Sequence, residues 1–80
     1  MNNNSAENKE WCVVFEIFYE TMPGESISVV GSIEDLGGWK TCTYELEWTE
    51  GHYWVSKKPL FTDFFSFQYK YVLLENDELV

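Results

Sequence analysis

Apolar and polar residues alternate with a period of two along most of the chain, and no segment sustains the spacing of an amphipathic helix. Val13, Phe15, Ile17 and Tyr19 alternate with Cys12, Val14, Glu16, Phe18 and Glu20, which predicts a first strand over 12–20. Thr21-Met22-Pro23-Gly24-Glu25 carries turn chemistry: proline presets one dihedral and glycine accepts a positive one. Residues 26–30 then read as a second strand, hairpin-paired to the first. A loop over 31–41 follows, with one helical turn expected at 32–36 under a Ser32 cap. Tyr44, Leu46 and Trp48 alternate with Thr43, Glu45, Glu47 and Thr49, predicting a third strand whose apolar register turns Trp48 toward the core. Glu50-Gly51 is a two-residue hairpin signal, and 52–58 returns as a fourth strand. Residues 64–74 are apolar enough for a central fifth strand. Asn76-Asp77 is a turn, and Leu79-Val80 reads as the opening of a sixth strand.

Short strands joined by turns point to an all-β fold, an antiparallel sandwich or barrel. Eighty residues make one small domain, and 45% hydrophobic content supplies its core. Residues 1–10, rich in Asn and Glu, are expected to form a disordered arm, leaving 11–80 as the domain. The start of a strand at Val80 cannot close a sheet, so the domain is expected to be incomplete at its C-terminal end. With no secretory signal at the start, the expected location is cytoplasmic.

Charge narrows the partners. The chain carries a formal charge of −9, with five lysines and no arginine. Nucleic acid and anionic membrane surfaces are disfavoured, because both require cations to meet phosphate; a neutral ligand or a basic protein surface is compatible. Cys12 and Cys42 match no zinc spacing and are expected as free thiols, so neither metal nor cofactor is expected. His52 is the sole imidazole and sits in a turn, where a solvated role is the simple reading. Glu45 and Glu47 share the wet face of a half-buried strand. The expectation is a chain that is not an enzyme.

Aromatic residues make up 19% of the chain. Trp11 reads as edge packing, and Trp54 is compatible with either face of its strand. Trp39 is different, because it ends the polar, glycine-rich stretch Gly31-Ser32-Ile33-Glu34-Asp35-Leu36-Gly37-Gly38-Trp39. Such a loop runs over the surface. An exposed indole suits the apolar face of a pyranose, while Lys40, Glu34 and Asp35 could meet its hydroxyls. The alternative, that Trp39 folds back to anchor its own loop, stays open on pattern alone.

Four ordered pieces carry a family resemblance: Val13-Val14-Phe15-Glu16-Ile17; Pro23-Gly24-Glu25 followed by Ile27 and Val29-Val30-Gly31-Ser32; Leu36-Gly37-Gly38-Trp39; and Phe67-Gln68-Tyr69-Lys70-Tyr71-Val72. Together they resemble a starch-binding domain, carbohydrate-binding module family 20. The resemblance implies an antiparallel, immunoglobulin-like β-sandwich or open distorted barrel. It also implies non-catalytic binding of α-1,4-glucans such as starch, glycogen or malto-oligosaccharides, tethering an attached C-terminal domain to polysaccharide. By the same resemblance, one site uses a tryptophan matching Trp39 and a lysine matching Lys70, with a second tryptophan expected beyond Val80. A second site uses a tryptophan matching Trp54; one of its tyrosines is absent near Met22, and the loop bearing the other is shortened to Thr49-Glu50-Gly51-His52. The alternative function is a β-sandwich that contacts another protein through exposed aromatics.

Overall fold

A computed structural model describes residues 9–79, so most of the expected N-terminal arm and Val80 lie outside the described residues. Its strands are β1 (Trp11–Val13), β2 (Glu16–Phe18), β3 (Glu25–Gly31), β4 (Tyr44–Thr49), β5 (Tyr53–Ser56), β6 (Leu60–Thr62), β7 (Tyr69–Glu75) and β8 (Glu78–Leu79), with a 3-10 turn over Glu34–Trp39. All described pairings are antiparallel. β1 and β6 form a two-stranded sheet, and the other strands form a six-stranded sheet in the order β2-β5-β4-β3-β7-β8.

The larger sheet curls. Tyr71 on β7 donates its hydroxyl hydrogen to the Glu16 carbonyl on β2 at 3.1 Å, so strands far apart in sheet order meet across a half-barrel. Phe15 fills the interior, buried, with Tyr44, Tyr69 and Tyr71 edge-on around its ring. Ile27 and Val29 of β3, Leu46 of β4, Trp54 of β5 and Leu60 of β6 complete the core. Leu46, Trp54 and Leu60 alternate with more exposed neighbours, the pattern of a strand with one buried face, whereas β3 is buried on both faces from Ile27 to Gly31.

Several expected elements are rearranged. The single strand expected over 12–20 is two strands, because the chain breaks at Val14-Phe15 and passes from one sheet to the other. Ser56 holds the break: its Oγ accepts the Phe15 N–H at 2.8 Å, and its own N–H donates to the Phe15 carbonyl at 2.9 Å. β3 does not pair with the first strand either. It sits between β4 and β7, in register from Glu25↔Glu75 to Gly31↔Tyr69. The strand expected from residue 64 begins at Tyr69, and 63–68 is irregular. The β4–β5 connection turns through Glu50, Gly51 and His52 rather than two residues, with Gly51 at φ 87° and His52 at φ 66°. The Asn76-Asp77 turn forms as expected, both residues in the left-handed region that a tight hairpin needs.

Two tryptophans depart from expectation. Trp48 keeps the register of Tyr44 and Leu46 but is 47% exposed. Trp54, directly across from it, is 6% exposed and belongs to the core.

Candidate functional site

The loop after β3 is anchored by apolar residues at its start and middle. Ile33 and Leu36 are buried, Leu36 to 1% exposure, and the Ile33 carbonyl accepts the N–H groups of Leu36 and Gly38 at 2.9 and 3.1 Å. Burying a leucine contributes roughly 1.5–3 kcal/mol, enough to fix a short turn that has little helical stability of its own. Ile33 and Leu36 therefore anchor the loop, and Trp39 is left free of that task.

Backbone conformation then turns Trp39 outward. Gly37, Gly38 and Trp39 have φ of 88°, 55° and 67° in succession. Glycine enters the left-handed region freely, whereas a bulky residue there is strained and must be held by its surroundings. The Lys40 N–H donates to the Gly37 carbonyl at 2.8 Å and closes the turn around the tryptophan. The indole is 46% exposed.

Lys70 reaches the same place from β7. Its backbone pairs with Val30, near the end of β3, and its Nζ lies 5.9 Å from the centre of the Trp39 ring, within range of a cation–π contact. The ion pairs among the described residues are Lys9–Asp63 and Lys57–Glu45, so Lys70 is committed to neither. A cleft of about 480 Å³ adjoins the loop, lined by Ser32, Glu34, Gly37, Gly38, Lys40 and Thr41. An exposed flat ring, an ammonium group beside it and a cleft with hydroxyl and carboxylate walls can hold a neutral, hydroxyl-rich ligand.

The structure brings Trp39 and Lys70 together but places Trp54 elsewhere. Trp54 has no free face to offer a ligand, so the expectation of a sugar contact on it is corrected: its alternation with Tyr53 and Val55 puts it inside the half-barrel. Its Nε1–H is buried without a hydrogen-bond partner. The exposed rings of this hairpin are instead Tyr53 and Trp48, and Phe18 of the neighbouring β2 lies beside Tyr53 with ring centres 5.4 Å apart. Trp48 donates its Nε1–H to His52 Nδ1 at 3.2 Å, which gives His52 a structural task beyond a solvated turn. These rings lie at the opposite end of the strands from Trp39. Sequence reading missed Trp48 because alternation gives the face of a strand but not which positions on that face other side chains cover.

Cys12 and Cys42 are free. Among the described residues no three His, Cys, Asp or Glu side chains cluster closely enough to hold a metal, and no helix is long and apolar enough to cross a membrane. The family model described as starch binding domain matches residues 10–80. No curated protein matches the chain.

Proposed function

The chain belongs to the starch binding domain family, a family of non-catalytic modules that bind starch-type glucans, and on that premise we propose that it binds α-1,4-glucans at Trp39 and Lys70. The observation that carries the reading is the strained, outward-turned Trp39 with Lys70 Nζ 5.9 Å from its ring. A glucose unit stacks its apolar face on the indole, and the Lys70 ammonium donates to a hydroxyl at the ring's rim. The neutral ligand suits a chain of charge −9, since no charge has to be matched. Binding of this kind tethers whatever the module is joined to, a catalytic domain included, to starch or glycogen. A cytoplasmic location belongs to the same proposal, and glycogen is the polysaccharide it would meet in a cell that stores it.

Affinity electrophoresis in gels with and without glycogen tests the reading directly. Wild-type protein should be retarded by the polysaccharide, and Trp39→Ala should run almost as in the empty gel. Loss of a stacking anchor of this kind costs about 2 kcal/mol, some thirtyfold in affinity. Equal migration of wild type in both gels would sink the proposal.

A further inference from the structure

His52 joins the β4–β5 hairpin to the chain that leaves β2. Its backbone carbonyl accepts the Tyr19 N–H at 3.0 Å, and its own N–H donates to the Thr49 carbonyl at 3.1 Å. The side chain adds two bonds at a single atom: Nδ1 accepts the Trp48 Nε1–H at 3.2 Å and the Thr21 N–H at 3.4 Å. The Trp48 ring stands edge-on to the imidazole, with centres 5.7 Å apart and 85° between the planes. His52 itself lies in the left-handed region, φ 66°, which histidine and asparagine enter more readily than most residues. All of these contacts fall within residues 19–52.

Two donors on Nδ1 require one protonation state. A neutral imidazole has one N–H and one bare nitrogen, so an accepting Nδ1 places the hydrogen on Nε2; an imidazolium carries hydrogen on both. Protonation sets an N–H against two N–H groups, and both bonds are lost together. Imidazole is the side chain that ordinarily changes charge between about pH 5 and 8, and His52 is the only one in the chain. The titratable groups on the segments that hold it are Tyr19 and Glu20 after β2, Glu25 at the start of β3, Glu47 and Glu50 on the hairpin, and Tyr53 after it. Glu25 is taken up by the Met22 N–H at 2.8 Å, and no hydrogen bond or ion pair among the described residues joins the others to the imidazole. We propose that His52 is a proton-operated latch: neutral, it ties the Trp48 indole and the Thr21 backbone to one atom; protonated, it releases both. The backbone bonds to Tyr19 and Thr49 do not involve the imidazole and stay in place, so the change is confined to the Trp48 ring and the segment leading into the Pro23-Gly24 turn. An indole already 47% exposed thereby loses the bond that orients it, and this aromatic end of the sheet differs between neutral and mildly acidic solution. Glucan binding at Trp39 plays no part in it.

Nuclear magnetic resonance of the nitrogen-labelled 80-residue protein, titrated from about pH 8 to pH 5, tests the latch. The Trp48 indole N–H, identified by its absence in Trp48→Phe, and the Thr21 amide should move upfield in step with the His52 ring, as protons do when their acceptor is lost. The indoles of Trp11, Trp39 and Trp54 should stay where they are. His52→Asn tolerates the same left-handed backbone and offers Oδ1, an acceptor that does not titrate, so both signals should hold their neutral positions throughout. His52→Gly suits φ 66° equally but has no acceptor, and should show the released positions at every pH. A Trp48 signal that stays fixed while the His52 ring titrates would overturn the proposal, and so would a shift that persists in His52→Asn. Movement of all four indoles together would mark general unfolding rather than a latch, and would overturn it as well.

Discussion

Ser32 holds both backbone polar groups of Gln68: its N–H donates to the Gln68 carbonyl at 2.8 Å, and its Oγ accepts the Gln68 N–H at 3.0 Å. This clasp continues the β3–β7 ladder one step past Gly31↔Tyr69, at the point where one strand departs toward Trp39 and the other arrives at Lys70. The backbones are close there, since a Cβ on Gly31 would lie 2.6 Å from the Gln68 carbonyl oxygen. The hydroxyl expected to cap a helical turn is thus spent on registering two elements of the site. Ser32→Ala should lower stability by about 1 kcal/mol, the net worth of one hydrogen bond, and weaken glucan binding as Lys70 loses its fixed approach. Ser32→Thr keeps the acceptor and should restore both. Urea denaturation and glycogen-gel retardation measure the two effects, and an Ala variant indistinguishable from wild type in both would discount the clasp.

Gly37 and Gly38 are adjacent and both left-handed, yet they should respond oppositely to substitution. A Cβ on Gly37 would meet Thr41 Oγ1 at 2.6 Å in a conformation, φ 88°, that L side chains rarely adopt. Gly37→Ala should therefore cost about 1 kcal/mol or more. At Gly38 a Cβ meets nothing within 4 Å, and φ 55° lies in the region asparagine tolerates. Gly38→Asn should be neutral or stabilising by about 0.5 kcal/mol, because it restricts the unfolded chain. Thermal unfolding of the two variants checks the contrast.

The sequence carried the local parts of this fold and left out the relations between them. Period-two alternation marked β4, apolar runs marked β3 and the region of β7, and Asn76-Asp77 announced its hairpin, since each depends on near neighbours. The break at Val14-Phe15 was invisible, because apolar alternation continues through it while the chain changes sheets. Pro23-Gly24 foretold a turn but not that β3 would pair with β7, a partner some forty-five residues away in register. Phe64 and Phe65 have strand-forming side chains, and only the tertiary structure leaves them outside a sheet. At the site, glycine-rich polarity was enough to turn Trp39 outward. Lys70's approach to it follows from the β3–β7 ladder, which no local pattern specifies. Trp54 failed as a binding residue for a related reason: which of two neighbouring aromatics, Tyr53 or Trp54, faces inward is set by where the half-barrel closes.

Alkaline pH should destabilise the fold through Tyr44 and Tyr71. Burial pushes the Tyr44 hydroxyl above its usual range, with the charges of Asp35 and Cys12 adding to the effect, and its hydrogen goes to the Lys58 carbonyl at 2.6 Å. Tyr71 is likewise raised, chiefly by burial and then by Tyr69. The unfolded chain releases these protons near pH 10, while the folded chain retains them to higher pH. Their contribution is therefore complete below pH 10 and is lost as pH rises through the folded values. Urea midpoints across this range should fall less steeply in Tyr44→Phe than in wild type, although the variant starts lower for want of one hydrogen bond. Parallel curves would show that Tyr44 titrates as it does in the unfolded chain.

Trp54 supplies the sharpest separation of core from site. Its indole is buried in the half-barrel, and its Nε1–H has no partner there, a desolvated donor that costs about 1–3 kcal/mol. Trp54→Phe removes that donor along with part of the ring volume, so the relief and the small cavity oppose each other. Its net stability change should stay within about 1.5 kcal/mol. Trp54→Ala empties the position and should cost about 3–5 kcal/mol, which an 80-residue domain can ill tolerate. Glucan affinity of the Phe variant should match wild type, while Trp39→Phe, at an exposed ring, should weaken binding with little change in unfolding. Calorimetric titration with maltoheptaose beside thermal melts of both variants decides the matter. If Trp54→Phe lost affinity while its melt stayed unchanged, Trp54 would have to reach the ligand, and the division between a structural Trp54 and a binding Trp39 would fail.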